Sequence, residues 1–121
     1  TTSLPPAVVA MAIAAIDLVQ REPERREALS SNCRIMAEGL RSLGVRVGAS
    51  SSPILPLIIG DAAKCMKFSE RLLERGVFAQ GIRPPTVPPG TSRLRITLMA
   101  THAREHIDRA LKVFEEARAS V

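Results

Sequence analysis

At 121 residues, 45% of them apolar and 24% charged, the chain is sized and composed for one packed domain, which excludes a disordered tail and a multidomain assembly. No apolar run approaches the roughly 18 residues that a membrane span needs, so no membrane partner is expected. The net charge of +5 is carried mainly by arginine, 14 Arg to 3 Lys, and the chain has no Trp, no Tyr and only three Phe; without aromatic platforms for bases no nucleic-acid partner is expected, and the charge suits an anionic ligand or a solvated surface.

Residues 1–4 read as the tail of a preceding loop. Pro5 and Pro6 suit the first positions of a helix, where a missing N–H costs nothing. From Ala7 to Val19 the sequence is apolar almost all round, with Val8, Val9, Met11, Ile13, Ile16, Leu18 and Val19. Such a helix is buried on more than one side. A chain of this size cannot cover it alone, so residues 1–22 are expected to link to, and pack on, a domain outside this chain. The opening without Met points the same way, to a piece of a longer protein.

Pro23 interrupts that helix. A second helix is expected to run to about Leu43, with Leu29, Cys33, Met36, Leu40 and Leu43 as one apolar stripe and Gly44 as its stop. Arg25, Arg26, Arg34 and Arg41 lie off the stripe and read as solvated. Val45–Val47 suggests a short strand. The run Ile54–Ile59 (ILPLII) is apolar on both faces, which predicts a strand covered on both sides, and Pro56 within it predicts an edge position or a bulge. Asp61 is placed to cap a third helix over 62–75 that ends at Gly76. Val77–Ala79 reads as a short strand.

The connection Ile82–Gly90 (IRPPTVPPG) carries four prolines and is held extended and stiff. Arg93–Met99 alternates with period two, placing Leu94, Ile96 and Leu98 on one face and Arg93, Arg95, Thr97 and Met99 on the other. Thr101 is placed to cap a last helix with the stripe Ile107, Leu111 and Phe114. The expected fold class is therefore α+β: two leading helices, then a small antiparallel or mixed sheet with helices on one face.

Four constellations are candidates for chemistry. His102, Glu105 and His106 spell H-x-x-E-H, an inverted zinc-peptidase pattern, but Glu115 and Glu116 lie roughly 14 Å further along the same helix and cannot supply a third ligand. No metal site is expected. Arg95, fixed on a strand face, presents a planar fork suited to a carboxylate. Arg83 and Thr86 sit in a rigid loop of the kind that lines sites. Thr1, Thr2 and Ser3 precede a proline-started helix, where hydroxyls and free N–H groups favour a phosphate. Cys33 and Cys65 are too few for a disulfide framework and suit the reducing cytoplasm. No phosphate loop, nucleophile elbow or carboxylate pair is present, so these are binding groups awaiting a reactive centre.

The segment GIRPPTVPPGTSRLRITLMATH (81–102) resembles the C-terminal signature of the α-oxoamine synthases. TTSLPP (1–6) is similar to the segment that follows the family's cofactor-binding lysine, and SSPILPLIIGD (51–61) and FSERLLERGVFAQGIRPPTVP (68–88) fit as well. The resemblance implies the C-terminal small domain of a fold type I enzyme that works as a homodimer with pyridoxal 5'-phosphate, joining an acyl group from acyl-CoA or acyl-carrier protein to an amino acid. RPPTVP is most similar to the biotin-pathway branch, which implies a pimeloyl thioester and L-alanine, with loss of CO2.

By resemblance, Arg95 holds the amino-acid carboxylate, Thr86 lies near the acyl substrate, and Arg83 stands at the same mouth, where it can meet the acyl chain's distal carboxylate. Thr1 and Thr2 match hydroxyls that reach the cofactor phosphate of the other subunit. The Schiff-base lysine, the pyridine-nitrogen aspartate and the ring-stacking histidine belong to the large domain. Lys64, Lys67 and Lys112 do not match the lysine motif, so the chain alone is expected to be inert. The alternatives are another α-oxoamine synthase, of the 2-amino-3-ketobutyrate CoA ligase, 5-aminolevulinate synthase or serine palmitoyltransferase type, or a non-catalytic module that binds an anionic ligand or partner.

Overall fold

The structure, a computed structural model, describes residues 3–50 and 52–118. Its elements are α1 (Pro6–Arg21), α2 (Pro23–Ser42), β1 (Ile54–Gly60), α3 (Ala62–Glu74), β2 (Gln80–Ile82), β3 (Ser92–Thr97) and α4 (Arg104–Arg118). This is the α+β order expected, with a sheet that is antiparallel throughout. Its strand order is β1-β3-β2, so β3, the strand that carries Arg95, is the central one.

One face of the sheet is covered. Leu55 and Leu57 of β1, Leu94 and Ile96 of β3 and Leu98 just beyond it join Met36 and Leu40 of α2, Phe68 and Leu72 of α3, and Ile107 and Phe114 of α4 in a single core. The expected stripes of α2 and α4 are the faces that enter it, and Phe68 and Phe114 meet edge to face with centroids 5.9 Å apart. α2 and α4 approach closely at Gly39, where a Cβ would fall 2.4 Å from a Leu111 methyl. Asn32 ties α2 to the turn after β3: its Nδ2 donates to the Met99 carbonyl (3.0 Å) and the His102 carbonyl (2.9 Å).

Pro56 sits on an edge strand, as its missing N–H requires. Its carbonyl accepts from Gly48 N–H at 2.8 Å, away from β3, and Ile58 N–H donates outward to Arg46 O. The proline therefore costs the β1–β3 ladder nothing. The segment before β1 makes only one bridge, Val47 to Leu57, where the sequence suggested a strand over Val45–Val47.

Four further expectations need correction. β1 is covered on one side only: Leu55 and Leu57 are buried while Ile54 is exposed, because all the helices that join the core lie on one face. The strand suggested at Val77–Ala79 is displaced to Gln80–Ile82; Val77 N–H instead closes the end of α3 on Leu72 O. β3 ends at Thr97, short of Met99. α4 begins at Arg104, three residues past Thr101, and the side chain that caps its start is His106, whose Nδ1 accepts from Ala103 N–H at 3.1 Å. Asp61 does cap α3, accepting from Lys64 N–H at 2.8 Å.

α1 has no buried residue. Val8, Val9, Met11, Ile13, Ile16, Leu18 and Val19 are each 40 to 71% exposed, a continuous apolar surface of the kind that marks an interaction face.

Candidate functional site

The uncovered face of the sheet carries the candidate site. Strand alternation places Arg93, Arg95 and Thr97 on this face and Leu94 and Ile96 in the core. Arg95 lies at the centre. Its Cα is paired with Pro56 on one side and Gln80 on the other. The rung beside it reads Ile58–Arg93–Ile82. Arg95 is exposed and makes no ion pair or side-chain hydrogen bond among the described residues, so its fork is available to a ligand. The four ion pairs of the described residues all lie on helices or at their ends, among them Arg21–Asp17 and Arg104–Asp108. No acidic side chain of these strands lies on the open face.

Arg83 and Thr86 lie past the end of β2, in a turn closed by Thr86 N–H donating to Arg83 O at 3.1 Å. The peptide between Pro84 and Pro85 is cis. Both side chains are exposed. Arg83 follows Ile82 and so stands about 10 Å along the strand direction from the level of Arg95. The structure thus brings Arg83 and Thr86 together in one loop at one end of the open face, and keeps Arg95 apart at its centre. Thr1 and Thr2 lie outside the described residues.

Gln80 was not singled out by the sequence. It enters the site only through its register opposite Arg95, and with β2 read three residues early that register is hidden. The alternation along β3 puts Arg93 on the open face without assigning it a role. Its Nε donates to Thr91 O at 3.0 Å, while Thr91 is itself held by Oγ1 donating to Pro88 O at 2.7 Å.

The two histidines of the H-x-x-E-H pattern hold the turn into α4. His102 Nδ1 accepts from Met99 N–H at 3.3 Å and His106 Nδ1 accepts from Ala103 N–H; the two rings lie 6.3 Å apart. Each histidine spends one ring nitrogen on holding the turn into α4. No group of three or more metal-ligating side chains occurs among the described residues. A cavity of about 430 Å³ lies between residues 76–79, the end of β3 and α4, lined by Phe78, Met99, His102, His106 and Phe114 among others, and Arg83, Thr86 and Arg95 do not line it.

Burial pushes the Cys33 and Cys65 thiols up from their ordinary range, which makes them poor nucleophiles. Lys64, Lys67 and Lys112 are exposed on α3 and α4, the helices that cover the opposite face from Arg95. No lysine, aspartate or histidine of the strands shares the open face. The residues present therefore fit the carboxylate-binding side of a pyridoxal-phosphate site and not its covalent attachment point.

The chain as a whole is similar to known proteins. The 8-amino-7-oxononanoate synthase of Geotalea daltonii is 50% identical over 92% of this chain, and that of Geobacter metallireducens is 54% identical over 92%. The chain spans only 29% of the length of either relative. A serine palmitoyltransferase structure from Sphingomonas wittichii superposes with a TM-score of 0.91 at 37% identity, covering 98% of this chain and 31% of that one. An 8-amino-7-oxononanoate synthase structure from Francisella tularensis, at 20% identity and TM-score 0.81 over 98% of this chain and 34% of that one, shares the fold. These likenesses bear out the resemblance to the α-oxoamine synthases and to a fold type I small domain. The aminotransferase class I and II model matches residues 1–114, and with nearly the whole chain so matched, the protein belongs to that family.

Proposed function

We propose that this chain is the C-terminal small domain of a cytoplasmic, homodimeric, pyridoxal-phosphate-dependent acyltransferase that condenses pimeloyl-CoA or pimeloyl-acyl-carrier protein with L-alanine, with decarboxylation, to 8-amino-7-oxononanoate. The observation that carries the reading is the unpaired Arg95 at the centre of the open face, in a chain about half identical to 8-amino-7-oxononanoate synthases.

When bound, pyridoxal phosphate supplies the electron sink that makes the amino acid's Cα nucleophilic. This chain's part is orientation. Arg95 grips the amino-acid carboxylate with two parallel hydrogen bonds, which fixes the torsion about Cα and so decides which bond breaks. Gln80, opposite it, adds an amide that restricts the approach. Arg83 and Thr86 stand at the mouth through which the acyl thioester enters, on a loop stiffened by prolines. Thr1 and Thr2 are assigned to the cofactor phosphate of the other subunit. α1, with its bare apolar surface, packs on the large domain that supplies the lysine.

The likeness to serine palmitoyltransferases, at 36–37% identity, favours a second reading with a long-chain thioester and L-serine. The test is condensation by the full-length protein loaded with pyridoxal phosphate. Product from pimeloyl thioester and L-alanine, well above that from palmitoyl-CoA and L-serine, is expected; the opposite order overturns the proposal.

A further inference from the structure

We infer that Arg93 is the recognition group for a second carboxylate, the one at the far end of the acyl donor, so that the central strand reads both ends of a dicarboxylic reaction pair. The inference rests on the reading above for the identity of the reaction.

Arg93 and Arg95 are two residues apart on β3, which puts them on one face about 7 Å apart. Arg93 differs from its neighbour in three ways. It is half-buried where Arg95 is exposed. Its Cα is paired with Ile58 on β1 and Ile82 on β2, so the flanking side chains on its rung are branched and apolar. Its Nε is engaged by Thr91 O, a carbonyl fixed in turn by the Thr91–Pro88 contacts. One nitrogen of the guanidinium is thereby anchored and the two terminal nitrogens are left without a partner among the described residues.

Arg93 is thus oriented by one hydrogen bond, with its terminal nitrogens open to solvent and free for a ligand. The ligand is anionic, because the fork has donors only, and a carboxylate matches its planar geometry. Five methylene groups separate the two ends of a pimeloyl donor. That chain spans from a reacting carbon beside the Arg95-bound carboxylate to a group one strand repeat away. Arg83 is the competing candidate, but it lies beyond the end of β2, exposed and without an anchoring hydrogen bond.

The test compares pimeloyl-CoA with heptanoyl-CoA, a donor of equal length ending in a methyl group, in the full-length holoenzyme. In Arg93→Leu, kcat/KM for the pimeloyl donor is expected to fall roughly 10- to 100-fold, the worth of a charge-assisted pair, while that for the heptanoyl donor changes less than about threefold. The Kd values of the two donors, read by calorimetry without turnover, are expected to split in the same way. Should Arg93→Leu lose both donors, Arg93→Gln, which keeps the shape, is judged by the same ratio. Equal changes for the two donors, or a ratio that moves in Arg83→Leu and stays fixed in Arg93→Leu, overturn the assignment. Failure of the condensation reading is separate: it is the absence of product from the wild-type enzyme with pimeloyl thioester and L-alanine.

Discussion

Pro56 and Arg95 face each other across the β1–β3 ladder, and Pro56 turns its carbonyl away from β3 toward Gly48. The strand beside Arg95 is thus unbroken by the proline, and Arg95 is held by a rigid central strand with no internal acid to occupy it. If this arginine binds the amino-acid carboxylate, Arg95→Ala in the full-length enzyme should lower kcat/KM for the amino acid by roughly 10²–10³, at about 1.4 kcal/mol per tenfold. Arg95→Lys should recover only part of the loss, since it keeps the charge without the fork. Arg25→Ala, which removes an exposed helix-end ion pair with Glu22, should leave the kinetics near wild type. Equal small effects of Arg95→Ala and Arg25→Ala would show the site to be misassigned.

Ser92 is fully buried and its Oγ has no hydrogen-bond partner among the described residues. It lies opposite Gly60, where the β1–β3 register slips. A buried hydroxyl without a partner loses its hydration for no return. Ser92→Ala should therefore stabilise the chain by about 1 kcal/mol, read as a higher urea midpoint at unchanged m-value. A lower midpoint would mean that a buried water satisfies the hydroxyl.

The exposed apolar surface of α1 predicts self-association of the isolated chain. Sedimentation should show an average mass that rises with concentration. Ile13→Lys with Ile16→Lys, both on that surface, should return the mass toward the monomer value. A monomer at all concentrations without the substitutions would contradict the interaction-face reading.

Desolvation pushes the pKa of the Cys65 thiol, fully buried beneath β2, above its ordinary value, partly opposed by a backbone hydrogen bond from Ile82. A folded pKa above the unfolded one means that the unfolded state loses its proton first as pH rises. The contribution of this thiol is fully present below about pH 9 and is lost as pH rises through the folded pKa. Unfolding free energy should fall above about pH 9, and Cys65→Ala should flatten that slope while lowering stability at neutral pH through the lost core volume. An identical alkaline slope in the variant would assign the effect to other groups.

Local patterns were enough to read most of the helical skeleton and the choice of face on β3. Leu40 and Phe114 recur at helical spacing and Leu94 and Ile96 alternate, so burial followed from periodicity, which depends only on backbone geometry. Asp61 before α3 and Gly76 after it were legible from residue chemistry, a carboxylate that accepts a free N–H and a glycine that takes positive φ. Arg95 was legible as a strand-face fork, and its family motif gave it a role. What surrounds Arg95 was decided by tertiary structure. Gln80 is its neighbour only because β2 pairs three residues later than its apolar content suggested, and pairing register depends on both strands and the turn between them. The open face of β1 reads as buried from ILPLII alone, because composition records that a side chain is apolar without recording which layer is there to cover it. Arg93 acquires its special state from Ile58, Ile82 and Thr91 O, which the register and the Pro88–Thr91 turn bring around it; no spacing along the chain encodes that enclosure.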